Sequence, residues 1–347
     1  MFPLPLLALL VVCGKIVCCS SFSFNHHASS SSTSSTSSKG PLTQQRRRVS
    51  QRLGMATVSP SDDGTVGVVG KGYVSLLSAK LAALRGYKSW LIIPPGEEEN
   101  MRSLLDAEGN LPENLELIPA TDDAEVIEDR VASMKALIVA VDDQSVMDEG
   151  VINYLLDSNN AKNVERIVGL SRNLNGKGMG FFVTASKLSA NSEVWDASNC
   201  AEFTTYEQLL KQKADDLGAE YTICRAGTLK GGGCGGELQY SQYLSPKFYE
   251  ATKKDIVTWN LIFDCDVRGV TLAKGDVMPG PGVKAVFSAN SGEACAGDTS
   301  RCGIAEAMVR SLQVPSAANT DFGVATRGAR SPPTEDDWDE LFSVLSA

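Results

Sequence analysis

Beyond residue 61 the sequence contains no histidine: the two histidines of this 347-residue chain are His26 and His27. That absence excludes histidine general bases, Ser-His-Asp triads and histidine metal sites from residues 62–347. Acid is missing from the other end, since residues 1–61 hold no Asp or Glu and six basic side chains (Lys15, Lys39, Arg46, Arg47, Arg48 and Arg52). Of the chain's 32 Lys+Arg and 42 Asp+Glu, 26 basic and all 42 acidic residues therefore fall in 62–347, a net charge of −16. So acidic a segment is a poor nucleic-acid binder, and none is expected as a partner. Past the first twenty residues no apolar run reaches membrane-spanning length, so no transmembrane segment and a soluble mature chain are expected. Six cysteines lie in this part (Cys200, Cys224, Cys234, Cys265, Cys295, Cys302) with no CxxC pair and no zinc-type spacing. Free, mostly buried thiols are the expected state, with a Cys295–Cys302 disulfide as a lesser alternative.

What is present begins with an address. Residues 3–13, PLPLLALLVVC, have the length of a signal-peptide h-region, and Cys19 and Ser21 suit cleavage before Phe22. The Ser/Thr-rich, acid-free stretch 22–61 has the composition of a transit peptide and cannot bury enough apolar surface to fold. Together they resemble the bipartite plastid presequence of algae with complex plastids, which implies a plastid stromal location. Secretion with a disordered linker is the alternative.

Residues 62–330 alternate apolar runs with amphipathic ones. Strands are expected at 65–72, 88–93, 115–120, 136–143, 164–171, 220–227 and 322–328. Helices are expected at 73–85, 98–107, 123–134, 146–157 and 203–216. Continuously apolar strands separated by helices indicate an α/β fold with a doubly wound, Rossmann-like parallel sheet, its ligand beyond the strand C-termini. The glycine-rich span 229–300 reads as a small loop-rich lobe over that edge, and 331–347 as a peripheral acidic helical tail.

The first strand-to-helix turn is Gly67-Val68-Val69-Gly70-Lys71-Gly72-Tyr73-Val74-Ser75. Gly70 suits the tight turn, Gly72 the close approach of backbone to a pyrophosphate, and Ser75 the small third position. The anion would rest on the first amides of the helix, around Tyr73 and Val74. A dinucleotide is thus the expected ligand; a glycine turn that merely packs helix on strand is the alternative. The second strand ends at Pro94 with Glu97–Glu99 just beyond, while Lys71 could meet a 2′-phosphate, so NADP is slightly preferred over NAD. Asp142 borders the same cleft, although it and Asp143 could simply cap the next helix. Lys230 could present a charge from the GTLKGGGCGG loop, and Arg225 reads as a strand-end anchor.

YEQLLKQKADDLGAEYTICRAGTLKGG (206–232), with GDTSRCGIAEAMVRSLQVPSAANTDFGVATRG (297–328), resembles atypical short-chain dehydrogenase/reductases of the NmrA-like, NAD(P)-binding kind. The segment VGVVGKGYVSLLSAKLAALRGY also looks locally like the start of a sugar-nucleotide 6-dehydrogenase. The family resemblance implies a serine at the end of the fifth strand, a place Ser171 holds as a cofactor-site candidate, with a plain strand-end hydrogen-bonding residue as the alternative. It also implies a Tyr-x-x-x-Lys pair on the helix before the sixth strand. No such pair stands there: Tyr206 is followed by Leu210 at the fourth place, and Tyr243/Lys247 and Tyr249/Lys253 fall after that strand. Two roles remain open under the resemblance. One is NAD(P)(H) binding in redox sensing or assembly of the photosynthetic apparatus, with a plastid protein partner. The other is NADPH-dependent reduction of a small hydrophobic substrate by a non-standard proton donor. A degenerate, non-binding scaffold is the third possibility.

Overall fold

The β-branched and apolar runs form the strands they suggest. The computed structural model describes residues 57–60, 64–106, 108–120, 124–143, 145–174, 197–231, 245–252, 269–279, 298–327 and 332–346. In chain order the strands are β1 (Thr65–Lys71), β2 (Lys88–Ile93), β3 (Leu115–Pro119), β4 (Ala136–Val141), β5 (Arg166–Arg172), β6 (Glu220–Ala226), β7 (Thr228–Lys230), β8 (Gly269–Lys274), β9 (Asp298–Ser300) and β10 (Thr320–Arg327). The helices are α1 (Tyr73–Leu84), α2 (Glu98–Leu105), α3 (Ala124–Ser133), α4 (Glu149–Leu155), α5 (Ala197–Leu217), α6 (Pro246–Thr252), α7 (Arg301–Arg310) and α8 (Glu335–Ser343), with a 3-10 turn at Pro315–Ala317.

Eight strands make one sheet in the order β3-β2-β1-β4-β5-β6-β10-β8. Every neighbouring pair is parallel except β10 and β8, where Phe322 faces Lys274 and Arg327 faces Gly269 in antiparallel register. This is the doubly wound Rossmann-like α/β sheet expected from the alternation of strand and helix. Its crossovers reverse direction between β1 and β4, which sets the topological switch point, where such sheets take ligands, at the C-terminal ends of those two strands.

Two apolar layers hold the sheet. On one face Val66, Val68, Leu91, Ile138, Val168 and Phe322 pack with the buried side chains of α1 and α7. On the other, Val69, Trp90, Leu137, Val139, Ile167 and Ile223 pack with α3, α4 and α5. Because both faces are covered, these strands read as apolar runs and not as alternating ones. Gly67 belongs to this packing. A Cβ there would lie 2.3 Å from the Trp90 ring, so the glycine admits the indole in mid-strand.

The C-terminal part adds short strands and departs from expectation at the terminal helix. Of the span 229–300, expected as a small lobe, residues 232–244, 253–268 and 280–297 lie outside the described residues; within the rest, β8 is the edge strand of the main sheet and β7 pairs in parallel with β9. The terminal helix is not peripheral, because α8 buries Trp338 and Phe342 in the core, with Phe342 edge-on to Phe322 at 5.9 Å. Its acidic first turn hid this, since an amphipathic helix exposes its charges and buries the opposite face. The capping box of Thr334 and Asp337 starts the helix.

Candidate functional site

The end of β1, the start of α1 and the end of β4 meet at the switch point, and glycine is what lets them meet. A Cβ on Gly70 would lie 1.8 Å from the Ala140 carbonyl oxygen, so β1 can approach β4 this closely only without a side chain. Gly72 has φ +99°, a left-handed conformation natural to glycine, and turns the chain into α1. Ser75 fills the third position of the pattern. Its hydroxyl donates to the Gly72 carbonyl at 2.9 Å, and its Cβ is close to where a Gly70 side chain would be.

The start of α1 has no capping side chain of its own and no acid in its first turn. A carboxylate from β4 supplies both. Asp142 Oδ2 accepts the Tyr73 backbone N–H at 3.0 Å and the Arg301 Nε–H at 2.8 Å. The Asp142 side chain is 6% exposed, and its second oxygen, Oδ1, is buried without a hydrogen-bond partner among the described residues. A Cβ on Gly72 would touch Asp142 Cβ at 2.3 Å, so the carboxylate-bearing side chain lies directly on the glycine turn. Asp142 therefore does cap a helix, but it is the first one; the helix that follows β4 is α4, which is capped by Asp148.

Cations gather around this point. Arg301, at the start of α7, donates Nη1 to the Gly231 carbonyl at 2.6 Å and lies over the Tyr73 ring at 5.7 Å. Arg172, at the end of β5, donates Nη2 to the carbonyls of Asp142 and Asp143 at 2.7 and 2.9 Å. Its Nε is buried without a partner among the described residues. Burial, reinforced by the neighbouring Arg301 charge, brings the Arg172 pKa down to about 10, against the pull of Asp142 and Asp143. Lys71, the residue offered for a 2′-phosphate, is paired with Asp143. Burial opposes the Asp143 anion, but the hydrogen bonds from Lys71 and Ser145 outweigh it and hold the carboxyl below its usual range. The acids beyond β2 are engaged on the α2 surface, Glu97 with Asn100 and Glu98 with Arg102.

α6 closes one side of the turn. Phe248, fully buried, meets the Tyr73 ring at 4.9 Å, while Lys247 bonds Asn100 and Ser103 of α2.

Ser171 is placed elsewhere. Its side chain points to the α5 face and donates to Glu207 Oε1 at 2.6 Å. Glu207 is 5% exposed and also receives Arg225 Nε at 2.9 Å and Nη2 at 2.6 Å. Arg225 pairs with Asp321 as well. Burial works against its charge, yet the two carboxylates prevail and raise its pKa above the usual arginine value. Asp276 stands 3.9 Å from Arg225 Nε and accepts from Asn173 and Leu174 N–H groups at 2.8 and 3.2 Å. Desolvation is the dominant influence on Asp276 and lifts its pKa. Arg225 is thus the strand-end anchor expected of it. Glu207, the centre of the network, was missed because a glutamate in a helix of mixed polarity looks like a surface residue.

Tyr206 is buried against Gly169 and Leu210, with its hydroxyl 3.5 Å from the Val139 carbonyl, and burial pushes its pKa up. Lys211 on the same helix lies over the Tyr221 ring at 5.2 Å. Neither makes a proton-exchanging pair. Tyr243, Lys253, Cys234, Cys265, Cys295, Trp195, Trp259 and residues 1–56 lie outside the described residues, as does the side chain of Lys230. Cys224 is a buried free thiol, Cys302 is buried at the start of α7, and Cys200 is half-buried with its Sγ 3.5 Å from the Leu174 carbonyl. Among the described residues no group of three or more His, Cys, Asp or Glu is placed to hold a metal, and no helix is long and apolar enough to cross a membrane.

No model of a known protein family matches this sequence, and no curated protein matches it. Solved structures do resemble it. A short-chain dehydrogenase/reductase (wide type) from Veillonella parvula, in complex with NADP, has a TM-score of 0.46 at 13% identity, covering 78% of this chain and 99% of its own. An oxidoreductase from Lactococcus lactis has a TM-score of 0.44 at 11% identity, covering 82% and 97%. A structure from a study of pinoresinol-lariciresinol and phenylcoumaran benzylic ether reductases has a TM-score of 0.40 at 12% identity, covering 74% and 68%. The fold assignment rests on this chain's own strand order.

Proposed function

We infer that this chain is an NAD(P)(H)-binding protein of the atypical short-chain reductase type that binds its dinucleotide without standard short-chain-reductase turnover. The observation that carries the reading is the glycine turn at the switch point. Gly70 and Gly72 bring the N-terminus of α1, a polarised anion-binding end, to the place where doubly wound sheets take a dinucleotide. The chain's residues fit a diphosphate there once Asp142 is allowed for. The first amides of α1, Arg301 and Arg172 supply donors and positive charge, and Lys71 stands at the rim. When bound, the nicotinamide would supply hydride chemistry, and the chain would have to supply the proton.

That second part is what the described residues do not provide. Ser171 is committed to Glu207, and Tyr206 is sealed in the core with no lysine beside it. A binding, sensing or assembly role therefore suits the site better than carbonyl reduction. The presequence-like residues 1–61 support a plastid setting for that role, with redox sensing or assembly of the photosynthetic apparatus as its form. NADP remains the favoured cofactor on account of Lys71.

Thermal denaturation with and without NADPH and NADH tests the reading. A dinucleotide that binds the folded chain raises the melting temperature by an amount that grows with the logarithm of its concentration over its dissociation constant. Stabilisation without consumption of NADPH, across carbonyl and alkene acceptors, is the expected result. Steady turnover with any acceptor would restore the reductase, and no stabilisation by either cofactor would leave a scaffold.

A further inference from the structure

The position that a diphosphate would occupy at the start of α1 is taken by Asp142. Oδ2 already uses the Tyr73 amide and the Arg301 guanidinium, and Asp142 Cβ lies against the face of Gly72 that glycine leaves open. An anion cannot share these contacts with a carboxylate at van der Waals distance. The arrangement is also incompletely satisfied. Oδ1 of Asp142 and Nε of Arg172 are both buried and, among the described residues, unpartnered, leaving an acceptor and a donor beside a helix N-terminus that has further first-turn amides to offer. Three cations (Lys71, Arg172, Arg301) surround two carboxylates (Asp142, Asp143), so the surroundings are built for more negative charge than Asp142 brings.

We propose that Asp142 is a built-in stand-in for the ligand: the diphosphate of a dinucleotide binds by displacing the Asp142 carboxylate from the Tyr73 amide and from Arg301, and Arg301 passes from Asp142 to the diphosphate. This rests on the dinucleotide reading above and adds its gate. A diphosphate brings several acceptor oxygens and more than one charge to donors that Asp142 meets with a single oxygen, so the exchange is favourable only for a multiply charged anion. Binding is accordingly weak in the unaltered chain, and Arg301, contributed from the distant start of α7, couples occupancy to the β7–β9 region through Gly231.

The test uses the full chain and two probes, inorganic pyrophosphate and NADPH, followed by calorimetric titration. Asp142→Asn keeps the size and an acceptor for the Tyr73 amide but removes the charge; Asp142→Ser is the second variant should the first fold poorly, as judged from its unliganded melting curve. Either is expected to bind both probes about ten- to a hundredfold more tightly than the unaltered chain, the scale of a lost charge-assisted hydrogen bond. Arg301→Gln added to either should abolish that gain. NADPH binding by the unaltered chain with no gain in the Asp142 variants would overturn the exchange and leave the dinucleotide reading standing. A gain for pyrophosphate without one for NADPH would support the exchange and overturn the dinucleotide reading. No binding of either probe by any variant would overturn both, and a gain that survives Arg301→Gln would remove Arg301 from the site.

Discussion

Arg225→Met is the most informative perturbation of this fold, because it removes the cation that faces Glu207, Asp321 and Asp276. Glu207 is 5% exposed and accepts three hydrogen bonds, two of them from Arg225 at 2.6 and 2.9 Å and one from Ser171. Methionine fills much of the same volume but leaves Glu207 buried with the Ser171 hydroxyl alone, and strips Asp321 of its partner. Breaking a buried pair from one side costs about 3–5 kcal/mol, a large part of the roughly 5–15 kcal/mol that holds a typical domain. At about 2–4 °C per kcal/mol for a domain of this size, the melting temperature should fall by roughly 6–20 °C. Calorimetry and urea titration of the single variant, of Glu207→Leu and of the double variant close a cycle. The double variant should regain about 2–3 kcal/mol over the sum of the singles, because the deeply buried Glu207 charge is then no longer left without its cation. A cost below about 1 kcal/mol for Arg225→Met, or a double variant no better than additive, would refute the buried network as the anchor between β5, β6 and α5.

Three further outcomes are expected. Gly70→Ala should fail to give soluble folded protein, because its Cβ would stand 1.8 Å from the Ala140 carbonyl; a normal melting curve would show that β1 and β4 are not so close. Trp338→Ala should cost about 3–5 kcal/mol and expose the C-terminal residues to limited proteolysis, because the indole is 2% exposed. The hydrogen bond from Arg310, aided by Arg85, holds Glu335 down to about 2, so the stabilisation it gives is present above the ordinary glutamate range and is lost as pH falls from about 4.5 towards 2. Glu335→Gln should therefore lower stability at pH 6 and not at pH 2, by no more than about 1 kcal/mol since the side chain is 75% exposed; an equal loss at both pH values would contradict the pairing.

The parallel strands were legible because a sheet covered on both faces leaves no polar position to interrupt a run such as ALIVAV, and all seven expected strands lie within two residues of their observed limits. The glycine turn was legible for a related reason: backbone approach demands glycine in a spacing that a strand and a helix frame. What escaped was set by long-range contacts. Asp142 was visible as a cleft residue, but its bond to the amide of Tyr73, 69 residues away, leaves no local pattern. β7, β8 and β9 are short and take their strand form from partners elsewhere in the chain, which periodicity within a window does not record. Glu207 and Trp338 lie in segments whose composition is that of solvated helix, and only tertiary packing turns one face of each inward.

The placement of β10 bears on how the protein comes to fold. Its partner β6 is made much earlier in the chain, and the two are tied at their start by Thr222 to the Ala317 carbonyl across a separation of 95 residues. Until that late strand has emerged, β6 is the open edge of a parallel sheet, with Ile223 and Cys224 among the apolar residues flanking its unpaired backbone groups. Closing it requires a loop of that length to be closed, a slow step for a chain whose strands β1 to β5 join through much shorter crossovers. A chain interrupted between β6 and β10 would therefore present a sticky edge, and pairing with a second such chain is its foreseeable fate.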